Sequence, residues 1–438
     1  MKQCLLFLSA LLLHITAADA NPSFRILHWK TSNGAEVVFY QAMDVPMLDI
    51  SIAFRAGSAF DKKNYGLSML TTTLLDQGNS GLSSDAIAKK LAETGAQYEG
   101  GSTKDMALLR LRTLTEKTAL NKAIGVFASI LSHPDFTKEA FLREKNQQLM
   151  AITQSQESPD ELANQRFFQA LYKNHPYAHP VNGDQQSVSQ ITIEQINDFY
   201  HQYFVSHNAL IVLVGAIDKP TAVQIAERLF KELPTGKAAP TVPMPTMLNE
   251  AVDIEVNFPS SQTAIRLGQL GMTHHDQHFF PLQVGNYILG GGSMVSQLAK
   301  ELREKKGLTY GVYSQFSPML ARGPFLISLS TKNNQANLAG QLTRETMAKF
   351  IENGPSEAEL QAAKHYLTGN FPISLSSNRQ IAEVLLRMTF YHLPNDFLKT
   401  YVERINAVST AEVKAAFKAD INPKKLLQVT VGPLLSNQ

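Results

Sequence analysis

Apolar and polar positions alternate early in the chain. Leu48, Ile50, Ile52 and Phe54 are separated by Asp49, Ser51 and Ala53, the two-residue period of a strand with one buried face. Val37, Val38, Phe39 and Tyr40 predict a strand just before it, and residues 106–114 alternate again. Between these strands the period lengthens. Residues 67–75 and 85–94 read as helices, the second with Ile87 and Leu91 on an apolar stripe. Longer helical stretches follow at 120–131, 139–155, 159–171 and 192–203, and the apolar run 209–214 predicts a buried strand.

The pattern breaks at residues 233–250, where Pro234, Pro240, Pro243 and Pro245 with Gly236 predict an extended linker. Beyond it the chain repeats itself. Thr192, Ile193 and Glu194, running through Phe199 to Val214 and Gly215, correspond to Thr410, Ala411 and Glu412, running through Phe417 to Val431 and Gly432. Ala88 to Leu91, followed by Gly95 and Tyr98, correspond to Ala299 to Leu302, followed by Gly307 and Tyr310. Both matches occur in order and at similar offsets, so the expectation is two tandem homologous α+β domains, 21–232 and 251–438. Each is expected to pack a mainly antiparallel sheet against helices.

Composition narrows the setting. A hydrophobic share of 44% and a charged share of 18% describe a folded protein. A formal charge of +2 over 438 residues offers no case for nucleic acid or an anionic membrane. Met1 and Lys2, an apolar run over 5–16, and Ala18-Asp19-Ala20 read as a signal peptide over 1–20, cleaved after Ala20 to leave Asn21 first. A membrane anchor is the competing reading, but the run is shorter than the roughly 20 apolar residues of a span. The one cysteine, Cys4, lies inside that segment, so the exported chain would have no thiol, disulfide or Cys-ligated metal. A cysteine-free exported protein suits a bacterial periplasm.

Candidate chemistry concentrates late in the chain. Arg303 and Tyr310, seven residues apart across Gly307, can point a guanidinium and a phenol at one substrate oxygen. The bland alternative is a solvated helix end and a core tyrosine. Gly290, Gly291 and Gly292 precede them as a loop lining a substrate cavity or as a simple turn; the phosphate-cradle reading lacks a following Gly-Lys-Ser/Thr. His274, His275 and His278, with Asp276, form the only histidine cluster and read as solvated groups in a loop before a helix. No serine sits in Gly-x-Ser-x-Gly.

Six motifs in order resemble the pitrilysin/insulinase family of inverted-motif zinc peptidases, in the two-domain branch that includes mitochondrial processing peptidase. They are Phe54 to Ser58, Tyr65 to Leu67, Ser158 to Leu162, His175 to Tyr177, the triple glycine and the Arg303-to-Tyr310 segment. In active members the helix after the Gly-Leu pair carries His-x-x-Glu-His, which binds zinc and supplies the base. Here the His positions fall on Met69 and Thr73, the base on Thr72, and the distal Glu ligand on Ala151. A thioether and a hydroxyl are poor zinc ligands, and threonine is no carboxylate base.

The resemblance therefore implies a zinc-free subunit that binds no cofactor itself. It would pair with a zinc-bearing homologous subunit around an unfolded peptide, with Arg303 and Tyr310 reaching the scissile carbonyl and Gly290 to Gly292 lining the chamber. The alternatives are a catalytically inactive peptide-binding or scaffold protein, and a standalone peptidase with relocated chemistry.

Overall fold

The structure, a computed structural model, describes residues 25–433. The signal segment expected over 1–20 lies outside the described residues. Strands β1 (Ile26–Lys30), β2 (Glu36–Gln41) and β3 (Met47–Phe54) open the first sheet. Helix α1 (Leu67–Leu74), the hairpin β4 (Gly78–Asn79) and β5 (Leu82–Ser83), and α2 (Ser84–Ala92) lead to β6 (Gln97–Ser102) and β7 (Ala107–Leu114). Helices α3 (Lys117–Ser132), α4 (Lys138–Gln156), α5 (Pro159–Tyr172), α6 (Gln185–Gln190) and α7 (Ile193–Tyr203) precede β8 (Ala209–Gly215) and α8 (Lys219–Phe230). The sheet order is β1-β2-β8-β3-β7-β6.

No helix or strand occurs between Phe230 and Val252. The second sheet holds β9 (Val252–Asn257) and β10 (Gln262–Leu270), then, after α9 (Phe279–Asn286), β11 (Val312–Phe316) and β12 (Pro324–Lys332). Helices α10 (Ala336–Asn353), α11 (Glu357–Ile373), α12 (Asn378–Phe390), α13 (Phe397–Ala407) and α14 (Thr410–Asp420) lead to the last strand, β13 (Leu427–Gly432). Its order is β9-β13-β10-β12-β11. Laid beside β2-β8-β3-β7-β6, this is the same topology. Within these five strands the last runs parallel to one neighbour, β8 with β2 and β13 with β9, and antiparallel to the other, β8 with β3 and β13 with β10. The repeat read in the sequence is thus a repeat of fold.

Local chemistry repeats with it. Helices α7 and α14 both begin with a capping box, Thr192 with Gln195 and Ser409 with Glu412. Gly95 and Gly307, which precede the edge strands β6 and β11, both take positive φ, 66° and 61°.

One expectation fails. Strand β3 was expected to bury one face, yet every residue from Leu48 to Phe54 is buried, Asp49 and Ser51 included. The reason is tertiary. Helix α12 of the second domain lies on the outer face of the first sheet, where Val38, Ala53, Val212 and Val214 join Ile381 and Leu385 in one apolar cluster. Helix α5 makes the reciprocal crossing, setting Ala163, Phe167 and Leu171 against Ala264, Val429 and Val431 of the second sheet. A buried polar strand residue needs a partner, and Arg112 supplies it to Asp49 through Nε at 2.9 Å. Fully burying a side chain such as Phe167 contributes about 1.5–3 kcal/mol, so the exchanged helices bind the domains into one unit.

Candidate functional site

Helix α1 starts at Gly66, whose φ of 93° only glycine adopts without strain; an added Cβ would also lie 2.6 Å from the Asn182 carbonyl. Its first turn is capped from a distance: the Asp61 carboxylate accepts from Gly66 N and Ser68 N, each at 2.8 Å. Burial still pushes the Asp61 carboxyl well above its ordinary range, with those two N–H groups and Lys104 pulling the other way. Lys104, itself desolvated, drops to about 8 and donates to the His179 carbonyl.

The positions that would ligate a metal lie along this helix and on α4, which packs beside it. Met69 and Thr73 are half-buried, Thr72 is buried, and Ala151 is exposed. The Thr72 hydroxyl donates to the Ser68 carbonyl at 2.8 Å, so it is spent within the helix. The side chain that α4 sends toward the start of α1 is Gln148, whose amide donates to the carbonyls of Gly66 at 3.1 Å and Asn182 at 2.8 Å. A thioether, two hydroxyls, a methyl and an amide do not make a zinc site. The residues present do not fit the metal that the family fold implies.

The second half of the site is built around a helical end, not the expected loop. Helix α9 continues through a wider turn at Tyr287–Gly291 that includes Gly290 and Gly291. Gly290 is required by packing: a Cβ there would lie 2.5 Å from Ser314 Oγ on β11. After Gly292 the chain kinks at Ser293 (φ 53°), leaving Met294 and Val295 exposed, and re-enters a wide helical turn at Ala299–Lys305.

Arg303 sits in that turn, half-exposed, with Nη1 donating to Met294 Sδ. The chain then reverses. Gly307 N bonds the Arg303 carbonyl at 3.0 Å and Leu308 N bonds the Leu302 carbonyl at 2.8 Å, while the buried Thr309 hydroxyl donates to the Ser330 carbonyl at 2.8 Å. Past this anchor Tyr310 projects 86% exposed. The core-tyrosine alternative is therefore excluded. No hydrogen bond joins Arg303 to Tyr310 among the described residues; they share a pinned reversal and face outward.

Other signature residues shape the first domain and its seam with the second. Gly57 lets the chain pass residues 104–106, since a Cβ would meet Met106 N at 2.4 Å. Asp160 at the start of α5 takes Arg266 Nη2 of β10 at 2.7 Å. Tyr177 donates to Asp105, a carboxylate 1% exposed that also accepts from Leu320 N and from Tyr391 Oη at 3.0 Å, both in the second domain. Burial raises the Asp105 carboxyl above its ordinary value against those three donors and Arg55. Sequence reasoning missed Asp105 because nothing local marks it.

In the histidine cluster His275 is exposed as expected, but His274 and His278 are packed. His274 stacks on Tyr391 at 4.0 Å between centroids, and its pKa falls to about 4 by burial. His278 Nδ1 lies 2.6 Å from Asp420 Oδ2, with Asp276 nearby, and this trio is the one gathering of metal-type donors among the described residues. Its bonds tie the start of α9 to the end of α14.

Two copies of one α+β domain, the first without a ligand set on its key helix and the second with an exposed Arg–Tyr reversal, define a chain built on a peptidase fold. Residues 37–185 match the family described as Insulinase (Peptidase family M16), and residues 190–367 match Peptidase M16 inactive domain. The chain belongs to peptidase family M16.

It is 27% identical over 343 residues to an uncharacterized zinc protease of Rickettsia felis, covering 78% of this chain and 82% of that protein. It is 26% identical over 393 residues to the Helicobacter pylori non-peptidase homolog YmxG, covering 87% and 88%. Among solved structures, a peptidase M16 inactive domain from Pseudomonas fluorescens superposes with a TM-score of 0.91 at 36% identity, over 94% of this chain and all (100%) of that one. The periplasmic protease PqqL of Escherichia coli shares the fold, with a TM-score of 0.78 at 17% identity over 93% of this chain and 45% of that one.

Proposed function

We propose that this chain is the zinc-free subunit of a two-chain peptidase of family M16. The observation that carries the reading is the pairing of an exposed, anchored Arg303–Tyr310 reversal with Met69, Thr72, Thr73 and Ala151 in the ligand positions. A zinc-bearing homologous subunit would bring the metal and base. This chain would bring half of a chamber wall, an unfolded peptide held against it, and two groups that orient and polarise the scissile carbonyl. Gly290 to Gly292 would line that wall. The setting is the periplasm, after cleavage at Ala20, which N-terminal sequencing of the secreted chain checks.

The test is co-expression with a zinc-motif homologue from the same genome. The pair is expected to cleave unstructured peptides, while the purified chain alone does not. Chelator-sensitive activity of the isolated chain would overturn the reading. A second reading, an inactive peptide-binding or scaffold homologue, is favoured by the relative described as a non-peptidase homolog. It predicts that the pair's activity is unchanged when Arg303 or Tyr310 is replaced.

A further inference from the structure

Two adjoining cavities lie between the domains, away from the Arg–Tyr reversal. One is about 450 Å³ and the other about 300 Å³, and they share Glu36, Thr389 and His392 as walls. Their first-domain wall comes from β1, β2 and the end of β3. Their second-domain wall comes from α12, the turn after it and α13. The size falls in the range of small-molecule pockets.

The charge of the lining is one-sided. Arg55 and Lys399 are its cations, and Glu36 is its single carboxylate. Arg55 is the unusual member. Among the described residues its one side-chain hydrogen bond runs from Nη2 to His392 Nε2 at 2.6 Å, and its guanidinium carbon lies 5.8 Å from the Phe390 ring. Asp105 feels the Arg55 charge but commits its oxygens to Tyr177, Leu320 and Tyr391.

A guanidinium only donates, so the contact requires an unprotonated Nε2 on His392. The fork's other N–H groups have no protein acceptor among the described residues and, on a half-buried side chain, stay open toward the cleft. Both partners are held in place. Arg55 is clamped through its backbone, its N–H bonding the Asn208 carbonyl at 3.3 Å and its carbonyl accepting from Asn208 Nδ2 at 3.1 Å. His392 holds a left-handed backbone, φ 54°, which a non-glycine residue keeps only when its surroundings impose it.

We propose that this interdomain cleft binds a small organic oxyanion, a carboxylate or phosphate monoester, through the Arg55 fork, with Lys399 at the mouth. A guanidinium takes two oxygens of such a group side by side, and low-dielectric walls concentrate the positive potential. Leu385, Met388 and Leu398 provide an apolar wall for the carbon skeleton. Because the walls belong to both domains, the ligand would bridge them. The inference stands whether or not the chain pairs with a zinc-bearing subunit.

The experiment is isothermal titration calorimetry on the purified full chain with glycerol 3-phosphate, inorganic phosphate and succinate, and glycerol as the neutral control. One site per chain is expected for at least one of the charged probes, none for glycerol. Tight binding of the phosphates alone assigns a phosphate ligand, and of succinate alone a carboxylate. Arg55→Met should weaken binding at least tenfold and Lys399→Gln several-fold. If Arg55→Met does not fold by circular dichroism, the exposed Lys399→Gln variant carries the test. No saturable binding of any charged probe, or binding unchanged in both variants, overturns the proposal.

Discussion

Replacing Asp105 with alanine tests whether the two domains are locked by one buried carboxylate. Asp105 is 1% exposed and accepts from Tyr177 Oη, Leu320 N and Tyr391 Oη, the last two across the domain boundary. Alanine leaves those donors without an acceptor. Each loss costs about 1–3 kcal/mol where water cannot replace the bond. The desolvation recovered by removing a buried charge offsets part of it. The expected net loss is about 3–5 kcal/mol by urea denaturation, and the Tyr391→Phe variant should lose about 1–2 kcal/mol. The double variant should cost less than the sum, because both remove the same bond.

The pH dependence has a definite sign. Burial raises the Asp105 carboxyl above 3.8, so the folded chain binds its proton more readily than the unfolded chain. Its contribution to stability therefore falls as pH rises from about 3.8 through the raised value, and Asp105→Asn should remove that slope. A D105A variant within about 0.5 kcal/mol of the parent would refute the lock, since ordinary surface changes cost that little.

In the proposed pair, Arg303→Ala should lower turnover about a hundredfold and Tyr310→Phe about tenfold without dissociating the subunits, measured by peptide hydrolysis and gel filtration. Introducing Met69→His, Thr72→Glu, Thr73→His and Ala151→Glu together should create a site for one zinc per chain, counted by mass spectrometry; no zinc would mean these positions do not converge. His179, 6% exposed, is held from 6.5 down to about 4 by burial. Its share of stability is complete above pH 6.5 and falls away toward about 4, by at most about 3 kcal/mol. His179→Gln should flatten that part of the denaturation profile. Arg266→Met should cost no more than about 1 kcal/mol by urea denaturation, since it removes the buried member of the pair and leaves Asp160, 52% exposed, to regain water.

The helices and strands of the first domain were legible because their periods are local. Residues 192–203 and 209–214 became α7 and β8 nearly as read, and the matching stretch from Thr410 to Gly432 holds α14 and β13. The candidate site was legible in part. The Arg303-to-Tyr310 segment stood out by residue identity and spacing, while the empty ligand positions of α1 were legible only through the family resemblance. The exposure of Tyr310 does not, since an aromatic side chain beside a strand is usually buried. Gly290 to Gly292 looked like a loop, because a triple glycine signals a break; the close approach of Ser314 shows why a helical turn needed residues without side chains.

From its residues alone the chain determined two copies of one α+β domain and a boundary rich in proline, while the family resemblance implied the empty ligand positions at Met69, Thr72, Thr73 and Ala151. The repeat and the boundary depend on periodicity and backbone restriction, which act within a few residues. Only the tertiary structure decided that α5 and α12 cross to the opposite sheets, that Asp49 and Asp105 are buried, and that Arg55 faces a cleft beside His392. Each of those joins residues far apart in the chain, and burial against a distant partner leaves no local period to read.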